Sequence, residues 1–88
     1  MKKIAVIVRE RQPEALRMGI GLSVLNDVDI YIFDRKLEAS DNISLNLEMI
    51  KEMRLCLYTN TALNEGIEHI PTEDIAKRLL KYDNILPY

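Results

Sequence analysis

The run Ile4-Ala5-Val6-Ile7-Val8, apolar at every position and rich in β-branched residues, constrains the fold of this chain more than any other feature. A strand of that kind must be covered on both faces, the ordinary state of a central strand in a parallel sheet. Pro13 suits the start of a helix because it has no amide hydrogen to leave unpaired, and Glu14 complements the positive end of the helix dipole. A helix is therefore expected from about Pro13 to Leu25. Its apolar and small positions form two series, Leu16-Gly19-Ile20-Ser23-Val24 and Ala15-Met18-Leu22-Leu25, which cover more of the circumference than one sheet face buries. The surplus points to a second subunit. Gly19 and Gly21 each cost roughly 0.5–1 kcal/mol inside a helix, a loss that close backbone packing would offset. They are no dinucleotide fingerprint, because that motif needs its first glycine directly after a strand and a third where this chain has Val24.

Val28-Asp29-Ile30-Tyr31-Ile32-Phe33-Asp34 reads as a second strand, so residues 3 to 34 form one right-handed βαβ unit with parallel strands. After a polar connection, Ile43 to Leu47 alternates like a strand while Leu45-Met49-Met53 and Leu47-Ile50 keep helical spacing. A helix from about Ser44 to Met53 is the better reading, because Ser40, Asp41, Asn42 and Ser44 offer caps and a parallel sheet needs a crossover here. Leu55 to Tyr58 is then an inner strand and Thr59 to Gly66 the loop at its carboxyl end, with Gly66 placed for a turn. Pro71-Thr72-Glu73-Asp74 opens a last helix that stops near Tyr82, with Thr72 as its cap, and Ile85-Leu86 is a short edge strand.

The 88 residues make a single domain, residues 1–88, with a thin core. A net charge of −2 leaves no basic excess for a nucleic-acid partner. No apolar run is long enough for a membrane span, and the N-terminus lacks a signal-peptide core, so a cytoplasmic protein is expected. A lone Cys56 and a lone His69 do not make a metal set, and no cofactor motif is present.

In open parallel sheets ligands bind outside the carboxyl ends of the strands, which directs attention to Arg9–Gln12, Asp34–Lys36 and Thr59–Glu65. Arg9 and Arg11 with the first helix's amides could hold an anion; the simpler reading is solvated charge around Glu10. Asp34, Thr59, Asn60 and Thr61 could supply polar ligand contacts or a base; the simpler reading is that they satisfy loop backbone. Cys56 is the weak catalytic candidate. Between Leu55 and Leu57 in an inner strand it is expected to be buried and inert.

The stretch PEALRMGIGLSVLNDVDIYIFD and the ending AKRLLKYDNILPY resemble the DsrE/DsrF/DsrH-like sulfur-relay family, whose ALR-type helix leads into a VEVFLFD-like strand. The resemblance implies a three-layer α/β/α domain with a four-stranded parallel sheet of order 2-1-3-4, and assembly into homo-oligomers or with a related subunit. Active members carry a persulfide-bearing cysteine in a stretch like ACGTCLDARGI. The matching stretch here, LYTNTALNEGI, has Ala62 at that place, and Cys56 falls inside the preceding strand. The chain also looks shortened after Asp34. The expectation is an accessory, non-catalytic oligomeric protein that binds a small ligand or a protein partner. The alternatives are a sulfurtransferase carrying persulfide on Cys56 and an anion or nucleotide binder.

Overall fold

The computed structural model describes residues 1–88. The elements are β1 (Lys3–Val8), α1 (Gln12–Leu22), β2 (Asp27–Ile32), α2 (Asp41–Glu52), β3 (Cys56–Thr59), β4 (Glu68–His69), α3 (Thr72–Leu79) and β5 (Asn84–Pro87). All strand pairings are parallel, with β1 in register with β2 from Lys3 opposite Asp27 to Val8 opposite Ile32.

The apolar run of β1 and the largely apolar β2, interrupted at Asp29, resolve by alternation. Ile4, Val6, Val8, Val28, Ile30 and Ile32 join Ala15 and Leu16 of α1 and Ile43 and Ile50 of α2 in one cluster. Ala5, Ile7 and Tyr31 point the other way and pack with Ile70 and with Ile75 of α3. Two helices thus cover one face and one helix the other, giving the expected three-layer α/β/α arrangement.

Two features of the expected sheet need correction. It has five strands, not four, and the order is β4-β3-β2-β1-β5 in place of 2-1-3-4. The C-terminal strand β5 pairs with β1 along Ile4–Ile7, so the position beside β1 is filled and β3 pairs with β2 instead. The added strand β4 is two polar residues pairing only with Tyr58 and Thr59, too short to leave a periodic signal.

The helix boundaries follow local chemistry. α2 begins three residues before Ser44 because the Ser40 hydroxyl accepts from the Ile43 amide at 3.2 Å. α1 stops at Leu22, where Asn26 Nδ2 donates to the Leu22 carbonyl, short of the expected Leu25. α3 is capped at Pro71 without a side-chain bond, because the Thr72 hydroxyl is committed to Asn60. Gly66 takes the turn with φ of 80°. Gly19 lies so close to β2 that a Cβ there would stand 2.9 Å from Ile30 Cδ1, whereas one at Gly21 would meet nothing within 4 Å. Only Gly19 has the packing reason the sequence suggested.

Candidate functional site

The three loops singled out in the sequence meet at the carboxyl edge of the sheet. Arg9 Nη2 lies 3.6 Å from Asp34 Oδ2, and Arg35 Nη2 donates to Glu10 Oε1 at 3.0 Å. Asn60 joins the loop after β2 to the start of α3. Its Oδ1 accepts from the Asp34 amide at 2.7 Å, and its Nδ2 donates to Asp34 Oδ1 at 2.7 Å and to Thr72 Oγ1 at 2.9 Å. Asp34 presents its amide from the left-handed region, φ 63°, a conformation aspartate tolerates better than most residues.

Beneath this exposed layer lie two amide side chains that the sequence reading did not single out. Gln12 is buried; its Nε2 donates to the Arg9 and Lys36 carbonyls, and its Oε1 accepts from the Glu38 amide at 2.8 Å. Asn64 is buried as well, accepting from the Leu37 amide at 2.7 Å and donating to the Arg35 carbonyl and to Thr59 Oγ1. The connection between β2 and α2 is therefore held from one side by Gln12 and from the other by Asn64. Neither residue sits in a motif; what marks them is spatial convergence, which no sequence spacing reports.

The candidate ligand residues divide accordingly. Arg9, Asp34 and Asn60 come together on the surface. Thr59 is fully buried, its hydroxyl donating to the Ile32 carbonyl and accepting from the Thr61 amide, while Thr61 Oγ1 accepts from the Leu63 amide. Arg11 is exposed at the start of α1 and stands outside the network. The Arg9 and Glu10 amides both donate to the carbonyl of Tyr88, the residue after β5, at 3.2 and 3.1 Å, so donors that an anion would need are already taken.

Beside the polar edge runs a groove of about 740 Å³ between α2 and the connection from β3 to β4. Its floor is Leu55, Leu57 and Ile67, and Leu63 stands on its rim. Such a volume is in the range of small-molecule sites, which run roughly 300–1,000 Å³.

Cys56 is exposed, contrary to the expectation of burial. β3 is an inner strand, but β4 covers it only at Tyr58 and Thr59, so its first half has no neighbour on that side. Cys56 stands in register with Asp29, and Tyr58 with Tyr31, on the α3 face. Tyr31 stacks on Tyr58 at 5.1 Å and meets Tyr82 edge-on at 6.0 Å; its hydroxyl is 2.7 Å from that of Tyr82, which donates to Asp29. The Cys56 thiol and then burial push the Tyr58 phenol up to about 12. Burial and the hydrogen bond to Asp29 push Tyr82 up further. The surroundings of the thiol carry both signs, with Asp29 in register beside it, Arg78 over the Tyr58 ring at 5.1 Å and Lys3 Nζ over the Tyr82 ring at 5.0 Å, and so are not the plainly positive setting that thiolate chemistry favours.

No group of three or more His, Cys, Asp and Glu side chains is placed to hold a metal ion, and no helix is long and apolar enough to cross a membrane.

No protein-family model matches the sequence, and no curated protein matches it. A solved structure does resemble the fold: the crystal structure of the YchN protein from E. coli superposes with a TM-score of 0.76 over 100% of both chains, at 17% sequence identity. The chain thus shares with YchN a DsrE-like α/β fold, here built on five parallel strands.

Proposed function

We propose that this chain is an accessory, non-catalytic DsrE-like protein that works by binding, as an oligomer, with a link to sulfur relay. One observation carries the reading. The loop after β3, where the family resemblance puts a persulfide cysteine, presents Ala62 and internally satisfied polar side chains, and then forms one wall of an open groove with an apolar floor and a charged rim. The place suited to a nucleophile has none, and the adjoining surface suits a bound group.

The groove is tested with anilinonaphthalene sulfonate, whose fluorescence reports apolar surface. The folded protein is expected to bind it, and Leu63→Glu, on the exposed rim, to weaken the signal severalfold with an unchanged circular-dichroism spectrum. Equal fluorescence in the two proteins would remove the groove as the binding surface.

The exposure of Cys56 favours one other reading, a sulfurtransferase that carries persulfide there. Labelling of an exposed thiol is not enough to support it. The deciding measurement is transfer: protein treated with inorganic polysulfide is freed of donor and mixed with an acceptor thiol. Transfer of about one sulfur per chain to the acceptor, abolished by Cys56→Ser, would replace the accessory reading with the enzymatic one.

A further inference from the structure

The charges of this chain are sorted by edge, which its net charge of −2 conceals. Because all strand pairings are parallel, β3, β2, β1 and β5 begin along one edge of the sheet, and the helices end there. The Asp27 and Asp83 amides donate to the Lys2 and Lys3 carbonyls, at 2.9 and 2.8 Å, and tie the entries to β2 and β5 to that of β1. Lys2, Lys51, Arg54, Lys77 and Lys81 stand at this amino edge, with Asp27, Glu52 and Asp83 as the acidic residues among them. Lys3 and Arg78 lie just behind, over the Tyr82 and Tyr58 rings. At the carboxyl edge the sign reverses. Glu14, Glu73 and Asp74 occupy first helical turns, and Arg9 and Arg35 are neutralised by Asp34 and Glu10. Those are the two ion pairs of the structure, so the basic side chains of the amino edge have no carboxylate within ion-pair distance.

Complementing the helix dipoles explains Lys51, Lys77 and Arg78, which lie in last turns. It does not explain Lys2, Arg54 and Lys81, which lie outside the helices, and Arg54 takes a left-handed φ of 59° where glycine would fit more easily. Nor does it explain the apolar side chains beside them. Val24, Leu25 and Leu80 are 73%, 78% and 86% exposed, more than any other large apolar side chain after Met1. They follow α1 and α3, helices on opposite faces of the sheet, so no single groove receives them. A flat partner meets them all.

We infer that the amino edge of the sheet docks on an anionic bilayer surface. Val24, Leu25 and Leu80 enter the headgroup region, and the lysines and Arg54 face lipid phosphates, while the acidic carboxyl edge points away. Exposed aliphatic side chains among unpaired basic ones are the chemistry of an interfacial anchor, in which apolar insertion and attraction to anionic lipid act together. No helix crosses the bilayer; the contact is peripheral. Nucleic acid would also take the charge, but it has no use for exposed aliphatic side chains, and the edge carries no fully exposed aromatic ring on which bases could stack. The contact lies apart from the groove and does not depend on it.

Vesicle cosedimentation tests the contact. At low ionic strength the protein is expected to sediment with vesicles of phosphatidylglycerol and phosphatidylcholine in equal parts and to stay in solution with phosphatidylcholine alone. Added salt should release it, because the attraction acts within a Debye length. Leu25→Ser with Leu80→Ser, at exposed positions, should weaken binding about tenfold or more through lost apolar insertion. Lys81→Gln should weaken it about fivefold, the effect of one basic residue at such a surface. Arg54→Gly should do the same while melting no lower than wild type, since glycine takes the left-handed position at no steric cost. Leu63→Glu, in the loop beyond the carboxyl end of β3, should bind vesicles as wild type does, so failure of the groove and failure of this edge give different results.

No sedimentation with anionic vesicles, or equal sedimentation with neutral ones, would overturn the inference. So would binding that survives the serine substitutions and is competed away by a DNA duplex, which would make the edge a nucleic-acid surface. An oligomer that dissociates in the serine variant, from a wild type that ignores vesicles, would overturn it in favour of a second copy on this edge.

Discussion

The two faces of the sheet are built differently. On the α1 and α2 side, ten buried apolar residues form one cluster from both central strands and both helices. On the α3 side the buried cluster has five members, and beside it stand Tyr58, Tyr82, Asp29 and an exposed cysteine. One face stabilises by apolar burial. The other combines a small apolar centre with hydrogen bonds that depend on protonation. Burial resists change until a cavity opens, whereas a network of phenols and a carboxylate responds to single atoms and to pH.

Truncation of the two cores should therefore give the largest effects and unequal ones. Leu16→Ala removes a fully buried side chain enclosed by strands and helices, where little can move in to fill the space. Its cost should fall near the top of the range of about 2–5 kcal/mol known for such changes. Ile75→Ala, in the single helix on the other face, should fall near the bottom because α3 can settle toward the sheet. Urea unfolding measures both. Equal losses would mean that α3 is held as firmly as α1, and the contrast between the faces would fail.

Gly19→Ala is the next step down. The new methyl would press on Ile30, itself fully buried. Overpacking of a tight core costs about 1–3 kcal/mol, more than the roughly 0.5–1 kcal/mol that alanine returns in helix propensity. A net loss is expected in thermal melts, and Ile30→Val should relieve part of it in the double variant.

What the sequence made legible follows the same division. Central strands announce themselves because burial on two faces demands apolar residues at nearly every position; Ile4–Val8 meets that demand throughout and Val28–Ile32 at all but Asp29. Helix starts were less clear, since Ser40 and Ser44 are both competent caps and only packing chose Ser40. Strand order was not legible: which strand lies beside β1 is a long-range choice between β3 and β5, and Leu55–Tyr58 is as apolar as either neighbour requires. The exposure of Cys56 depends on how far β4 extends along β3, and Glu68-His69 carries no pattern that would say. At the polar edge, the residue types at Asp34 and Asn60 pointed to loops that the fold brings together, but the buried work is done by Gln12 and Asn64. Their partners lie on other elements, so local sequence gave no sign of them.

The α3 face can be probed one atom at a time. Tyr31→Phe keeps the ring stacked on Tyr58 and removes only the hydroxyl facing Tyr82. Because Tyr82 keeps its bond to Asp29, the loss should be about 1 kcal/mol, the usual net value of one hydrogen bond. Tyr58 supplies the pH test. Its phenol moves from the ordinary 10.0 up to about 12, chiefly through Cys56 and then burial, so the fold favours the neutral form. That contribution is complete below pH 10 and is lost as the pH rises toward 12. Melting temperature should fall more steeply over that interval than in Tyr58→Phe. In Cys56→Ala the phenolate absorbance of Tyr58 should develop at lower pH, and an unchanged titration would show that the thiol does not act on the ring.

The smallest effect comes from the outer surface of α1. A Cβ at Gly21 would meet nothing within 4 Å, and its φ is not in the left-handed region, so alanine fits without strain. Gly21→Ala should stabilise by roughly 0.5–1 kcal/mol through helix propensity and the reduced freedom of the unfolded chain. The sign is opposite to that at Gly19, two residues away on the same helix. If Gly21→Ala instead destabilises a concentrated sample and not a dilute one, the space above Gly21 is occupied by another subunit. The contrast would then lie between the inner face of α1, packed against β2, and an outer face packed only in the assembly.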